Sequence, residues 1–127
     1  MNNNQLGTVG LLVAQQWFVE QGYSVFTEID GKAPFDFVIY NNGKLLRVEV
    51  KSTERLKGNS YTVNLRSTRW NRTSLVSKVF DSTKSDLCCV YVAPIKKLFI
   101  RPSLVLEGRT SWNINPKDLP IEVVLGE

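Results

Sequence analysis

Two carboxylates and an ammonium group, at Asp36, Glu49 and Lys51, are spaced to meet. Asn42-Gly43 lies midway between the acids, and both residues tolerate the positive φ of a type I′ turn. A two-residue turn there pairs Asn41 with Lys44, Tyr40 with Leu45, Val38 with Arg47 and Asp36 with Glu49. Side chains alternate across a strand, so Phe35, Phe37 and Ile39 share an apolar face with Val50, Val48 and Leu46. Asp36, Glu49 and Lys51 share the other face. Directly opposed Cβ atoms sit about 5 Å apart, and like charges placed there repel. A cation bound between the two acids relieves that repulsion, and Lys51 points at the same spot. The competing reading is a solvated hairpin face whose acids are balanced by Lys51 and Arg47.

Histidine is absent. That excludes a Ser-His-Asp triad, a Cys-His pair and histidine-ligated metal sites. Hydrolysis in such a chain has to rest on carboxylates, lysine and a hard, oxygen-loving ion such as Mg²⁺. Cys88 and Cys89 are adjacent, and in a strand they point to opposite faces. Buried, reduced thiols are therefore expected rather than a bridge or a ligand cluster.

The formal net charge is +4, but its distribution is more telling. Residues 44–101 carry thirteen Lys and Arg against four acids, and the rest of the chain carries three against eight. No acid lies between Arg55 and Lys78. A one-sided basic block suits a polyanionic partner, and a solubilising surface is the plainer alternative. With 127 residues, one compact domain spanning 1–127 is expected. No apolar run is long enough to cross a bilayer, and the first residues lack the segments of a signal peptide. No membrane contact and a cytosolic setting follow, the host-cell cytosol if a phage or mobile element carries the gene.

The elements that must position these residues can be read in order. Leu6, Gly10, Val13, Ala14, Trp17 and Phe18 recur at helical spacing, predicting a helix over 6–21 capped by Asn3 or Asn4 and closed by Gly22. Gly7 and Gly10 are poor helix formers, so the backbone is expected to come close to something there. A short strand over 23–28, a loop over 30–34 and the hairpin follow. Residues 53–59 read as an exposed loop and 61–66 as a third strand of the meander. In 66–72, Arg66, Arg69 and Arg72 are interleaved with Trp70. As a loop this suits phosphate contact plus stacking; Trp70 folding back onto the core is the alternative. Residues 73–85 suggest a short helix. The apolar run 87–93 reads as a central strand buried on both faces. Lys96 and Lys97 turn into a strand over 98–100 that Pro102 stops, and 111–114 is one more short strand. The tail, 116–127, carries one apolar stretch. Helix, meander and later hairpin make an α+β domain with a central sheet.

Asp36 followed by Glu49, Val50 and Lys51 at the next strand, behind a Gly-containing helix with a Gly22-Tyr23 exit, resembles the PD-(D/E)XK nuclease superfamily. Pro34, Phe35 and Asp36 stand in for its Pro-Asp element with one residue inserted. Residues 86–102, with Arg109 and Trp112 beyond, are similar to the small intron-associated, homing-type endonucleases of that superfamily. Archaeal-type Holliday junction resolvases share the core and size. The resemblance spans roughly 6–114. It implies a restriction-endonuclease-like, α/β/α-like fold with a mixed sheet, an N-terminal helix and a β-meander.

It further implies a metal-dependent DNA endonuclease acting as a dimer or higher oligomer on double-stranded or branched DNA. Asp36, Glu49 and the Val50 carbonyl would bind Mg²⁺, with Mn²⁺ able to substitute, and Lys51 would orient or deprotonate the attacking water. Arg55, Lys57, Arg66, Arg69, Trp70 and Arg72 would grip DNA. Related enzymes often place a glutamate after the second glycine of a Gly-X-X-Gly helix start. Here Gly7 and Gly10 are followed by Leu11, which cannot ligate a metal; Gln15 or Thr8, on the same helical face, could hold a metal-bound water. The rivals are a structure-specific junction resolvase, a non-catalytic DNA-binding module on a nuclease fold, and a basic α+β protein with no nucleic-acid role.

Overall fold

The computed structural model describes residues 1–71 and 74–117, with the backbone alone for 68–71 and 74–76. Helix α1 runs Asn3–Glu20. Its cap is Asn2, one residue before the expected Asn3. The Asn2 side chain accepts from the Gln5 N–H at 2.8 Å, and the Gln5 side chain accepts from the Asn2 N–H at 3.0 Å. This reciprocal box satisfies two of the helix's orphan donors. Gly22, at φ +95°, ends the helix as expected.

A five-stranded mixed sheet follows the order β1-β2-β3-β8-β9. Its strands are β1 (Ser24–Phe26), β2 (Phe37–Asn41), β3 (Lys44–Thr53), β8 (Leu87–Val92) and β9 (Lys97–Pro102). β1, β2 and β3 form an antiparallel meander, β3 and β8 are parallel, and β8 and β9 are antiparallel. A parallel neighbour requires a long crossover, and 54–86 supplies it. That crossover holds β4 (Leu56–Lys57), β5 (Ser60–Asn64), β6 (Ser67–Asn71) and β7 (Ser74–Lys78).

Four readings of the crossover are corrected. Residues 61–66 do not extend the meander, because β8 takes the place beside β3; β5 instead joins a second sheet, β10-β5-β4, with β10 at Ser111–Ile114. The exposed 53–59 segment contains the edge strand β4, turned back through Gly58. In place of the short helix expected over 73–85, the described residues 74–85 hold β7 followed by one 3₁₀ turn at Ser82–Lys84. Within the segment read as a loop, Ser67–Asn71 form strand β6, paired with β7 from Ser67↔Lys78 to Asn71↔Ser74. The two strands satisfy each other's backbone groups, which the Ser- and Arg-rich composition did not advertise. The tail stretch over 121–125 and Arg72 lie outside the described residues.

The α+β class and the mixed central sheet are as expected. The helix packs on one face of the main sheet, where Ala14 and Phe18 meet Phe37, Ile39, Val48, Cys89 and Ile100. On the other face, the layer that an α/β/α arrangement gives to a helix is built by the second sheet. Tyr61, Val63, Trp112 and Ile114 meet Cys88, Val90, Val92 and Phe99 there. The two cysteines thus enter opposite cores, both free. Burial pushes the Cys88 thiol up to about 12. β8 is buried at every position. Gly10 lies against β3 and β8: a Cβ there would collide with Ser52 Oγ and come within 3.2 Å of the Tyr91 Cβ. The close approach inferred from the glycines is real at Gly10, whereas Gly7 faces open space.

Candidate active site

The β2–β3 hairpin turns through Asn42 and Gly43 at φ +52° and +81°, the positive values of a type I′ turn. The register is the expected one from Asn41↔Lys44 to Phe37↔Val48. It stops there. The anticipated Asp36↔Glu49 pair does not form, because Asp36 steps out of the ladder. Its N–H donates to the Val48 carbonyl at 2.8 Å, and its Oδ2 accepts from the Val50 N–H at 2.6 Å. The carboxylate thus does the work of the strand carbonyl that would otherwise face Val50. N–H and C=O of one residue point to the same side of a strand, so the Val50 carbonyl lies on that same edge, beyond the end of β2.

Glu49 and Lys51 follow the alternation of β3. Val48 and Val50 pack toward the helix, so Glu49 and Lys51 project to the opposite face. They are partly buried and form an ion pair, with Lys51 Nζ 3.2 Å from Glu49 Oε2. Behind them Ser85 and Ser103, both buried, share a 2.7 Å hydrogen bond, and Ser85 Oγ lies at a long 3.5 Å from Glu49 Oε1. Arg47 does not balance these acids. Its guanidinium is committed to Asp86 by two 3.1 Å contacts and to the Thr83 carbonyl at 2.8 Å. Of the two cations in the solvated-face reading, Lys51 alone contacts either acid.

Asp36 and Val50 open onto one shallow cavity of about 320 Å³, walled by Gly7, Thr8 and Leu11 of the helix. Glu49 and Lys51 open onto a second, also about 320 Å³, reached past Pro34. The residue Asp36 is exposed, yet its carboxyl is sheltered enough to titrate above the ordinary aspartate range. Burial drives that rise, and the Val50 N–H and the Lys51 ammonium oppose it. Asp36 Oδ1 accepts no hydrogen bond among the described residues. Thr8 lines the Asp36 cavity, with its hydroxyl donating to the Asn4 carbonyl at 3.0 Å. Leu11 lines it too; Gln15 does not.

The basic residues divide. Arg55, beside Lys51 and Ser52, lines a larger opening of about 690 Å³ at the start of α1. Lys57 is exposed on β4. Arg66 is exposed and donates to Ser77 Oγ at 3.2 Å. Arg69 and Trp70 lie on β6, and only their backbone is described. Reading 73–85 as a helix hid Lys78 and Lys84, which line the Glu49 cavity. The pairing of this segment with the preceding strand would have revealed them.

A helix laid on a mixed sheet, with an acid at the end of one strand and Glu-X-Lys on its neighbour, defines a nuclease of the restriction-endonuclease-like class. The chain belongs to the PD-(D/E)XK endonuclease family, whose profile matches residues 1–115. The bacterial homing endonuclease I-Ssp6803I superposes with a TM-score of 0.81 at 22% identity, covering 99% of this chain and 88% of that one. At that identity the likeness is one of fold. MepB aligns at a TM-score of 0.42 with 11% identity, over 85% of this chain and 80% of its own. No curated protein matches the sequence. No helix among the described residues is long and apolar enough to cross a membrane.

Proposed function

We propose that this chain, as a single domain, is a Mg²⁺-dependent DNA endonuclease of homing or otherwise site-specific type, working as a homodimer or higher oligomer. The observation that carries the reading is the Glu49–Lys51 pair beside a carboxylate that has left its ladder to sit on the Val50 N–H. The donors fit a hard divalent ion: Asp36 Oδ1 has no hydrogen bond among the described residues, Glu49 offers carboxylate oxygens, and the Val50 carbonyl lies at the same edge. Oxygen ligands suit Mg²⁺, which keeps several waters and needs only one or two carboxylates. That economy matters here, since no cluster of three acidic or other metal-binding side chains occurs among the described residues.

When bound, the ion lowers the pKa of water and offsets charge on the phosphoryl oxygens. The chain's own residues do the rest. Asp36 and Glu49 fix the position of that charge from two adjoining strands. Lys51, held by Glu49, orients the attacking water and meets the negative charge building on the phosphate. Arg55, Lys57, Arg66, Arg69, Trp70 and Arg72 supply the sequence-independent grip on DNA.

A second reading, a DNA-binding module that does not cut, is favoured by Leu11: the helix puts a hydrocarbon on the Asp36 cavity where an acid would help hold the ion. Purified protein incubated with plasmid, linear and four-way-junction DNA, in Mg²⁺ or EDTA, separates the readings. Cleavage in Mg²⁺ that Asp36→Ala and Lys51→Ala abolish supports the endonuclease. Binding without cleavage on every substrate supports the module, and selective cutting of the junction supports a resolvase.

A further inference from the structure

The Glu49 cavity is bounded by more than the catalytic pair. Its outer rim is formed by the feet of the β6–β7 hairpin, where Ser67 pairs with Lys78, and by the 3₁₀ turn that ends at Lys84. Three ammonium groups, Lys51, Lys78 and Lys84, therefore border one small opening. Lys51 is already paired with Glu49. Lys78 and Lys84 are exposed and make no ion pair among the described residues.

The nearby acid, Asp81, lines the same opening and offsets part of their charge without forming an ion pair with either. Its Oδ1 accepts from the Thr83 hydroxyl at 2.6 Å and the Thr83 N–H at 3.0 Å. Those bonds, with Lys84 and Lys78 close by, pull its carboxyl below the usual range. Three ammonium groups against the Glu49 and Asp81 carboxylates leave the opening net positive, beside a centre that would receive a phosphodiester. The rim is anchored rigidly. The Phe80 N–H donates to the Arg109 carbonyl at 2.9 Å, and the Ser82 N–H to the Glu107 carboxylate at 2.7 Å. Lysines on so fixed a base can select a position along a polyanion rather than merely attract one.

We propose that Lys78 and Lys84 form a backbone clamp that holds phosphates flanking the scissile one and so sets where DNA lies across Glu49 and Lys51. This rests on the nuclease reading above. The two lysines would be positioning residues that act on binding and register, outside the chemical step.

The test measures duplex DNA binding in EDTA over a range of salt, for wild type, Lys78→Gln, Lys84→Gln and the double variant. Lys44→Gln, at the far end of β3, serves as the control for charge loss elsewhere. Each lost phosphate contact should lower the slope of log K against log salt by about 0.9, so about 1.8 for the double variant. In Mg²⁺ the double variant should raise KM with kcat little changed, the mark of lost uniform binding. Lys78→Arg should restore the wild-type slope. Unchanged slopes in the Lys78 and Lys84 variants, with wild type binding and cutting, would overturn the clamp and leave the nuclease reading intact. An equal drop in Lys44→Gln would overturn it too. Wild type that shows no salt-dependent binding would instead remove the reading beneath it. Both lysines are exposed, so melting temperatures should match wild type and keep a folding defect from mimicking the result.

Discussion

Replacing Asp36 by Asn isolates what its charge is for. In the folded chain Oδ2 accepts from the Val50 N–H at 2.6 Å, and an amide oxygen can accept the same bond. The variant therefore keeps the hydrogen bond that substitutes for a strand carbonyl and loses only the negative charge. A hydrogen bond to a charged acceptor contributes about 1 kcal/mol more than a neutral one. Against this, burial lifts the carboxyl's titration, so on balance the fold disfavours the charged form. The residue is exposed, which shrinks both effects. In EDTA at pH 7, Asp36→Asn should stay within about 0.5 kcal/mol of wild type, as an exposed substitution does. Asp36→Ala, which strips the acceptor, should lose about 1 kcal/mol.

With Mg²⁺ the two proteins should part. An ion that binds only the folded state, at a hundredfold excess over its Kd, stabilises by about 2.7 kcal/mol. For a chain of this length that is a rise of roughly 10 °C in Tm. Wild type should show it, and both variants should show almost none. The assay is thermal unfolding by circular dichroism with EDTA or Mg²⁺, run beside plasmid cleavage. The sign of the pH effect is also fixed. A folded-state pKa above the unfolded one makes wild type lose stability relative to Asp36→Asn as pH rises through the ordinary aspartate value, about 3.9. The reasoning fails if Asp36→Asn keeps the metal-induced rise or keeps cutting DNA. It also fails if the variant melts far below wild type in EDTA, because Asp36 would then be structural first.

Three further outcomes follow from contacts elsewhere. Asp86 holds both the guanidinium and the backbone N–H of Arg47, and its carboxyl sits below the usual range chiefly through the Arg47 side chain. Asp86→Asn should cost about 1–2 kcal/mol at pH 7, a figure kept low because the pair is partly solvated. Its folded pKa is depressed, so that stabilisation is present above about pH 3.9 and is lost as pH falls through the lowered value; urea melts of both proteins at pH 7 and pH 2.5 check it. The two helix glycines should behave oppositely in chemical denaturation. Gly7→Ala faces open space and should stabilise by up to about 1 kcal/mol through helix propensity. Gly10→Ala meets Ser52 and Tyr91 and should destabilise, as overpacking costs about 1–3 kcal/mol. Leu11→Glu places a carboxylate on the Asp36 cavity, so the Mg²⁺-induced rise in Tm should appear at lower ion concentration than in wild type.

What the sequence made legible was local. The hairpin register followed from two turn residues, because a type I′ loop leaves little freedom in how its strands pair. The helix face, its Gly22 stop and the opposite fates of Cys88 and Cys89 followed from periodicity alone. The errors cluster where pairing partners are distant. Nothing within 61–66 says that β8, more than twenty residues on, will outcompete β5 for the edge of β3. β8 is apolar at every position and must be buried on both faces, whereas β5 alternates and can sit in an outer layer.

The site shows the same limit at atomic scale. Extending the hairpin by one more pair put Asp36 opposite Glu49, and the repulsion between them was the reason to expect a cation. The chain avoids that repulsion by turning the Asp36 carboxylate to the Val50 N–H and the Glu49 carboxylate to Lys51. Asp36 thus has one local donor, and Glu49 has Lys51 with a long contact from Ser85. Two acids arranged so do not demand an ion in order to fold, which is why removing the charge at Asp36 should be almost silent in EDTA. They are, however, already spread across a strand junction with an acceptor carbonyl at its edge. If both carboxylates hold a divalent ion there, the stability it adds should vanish with either one.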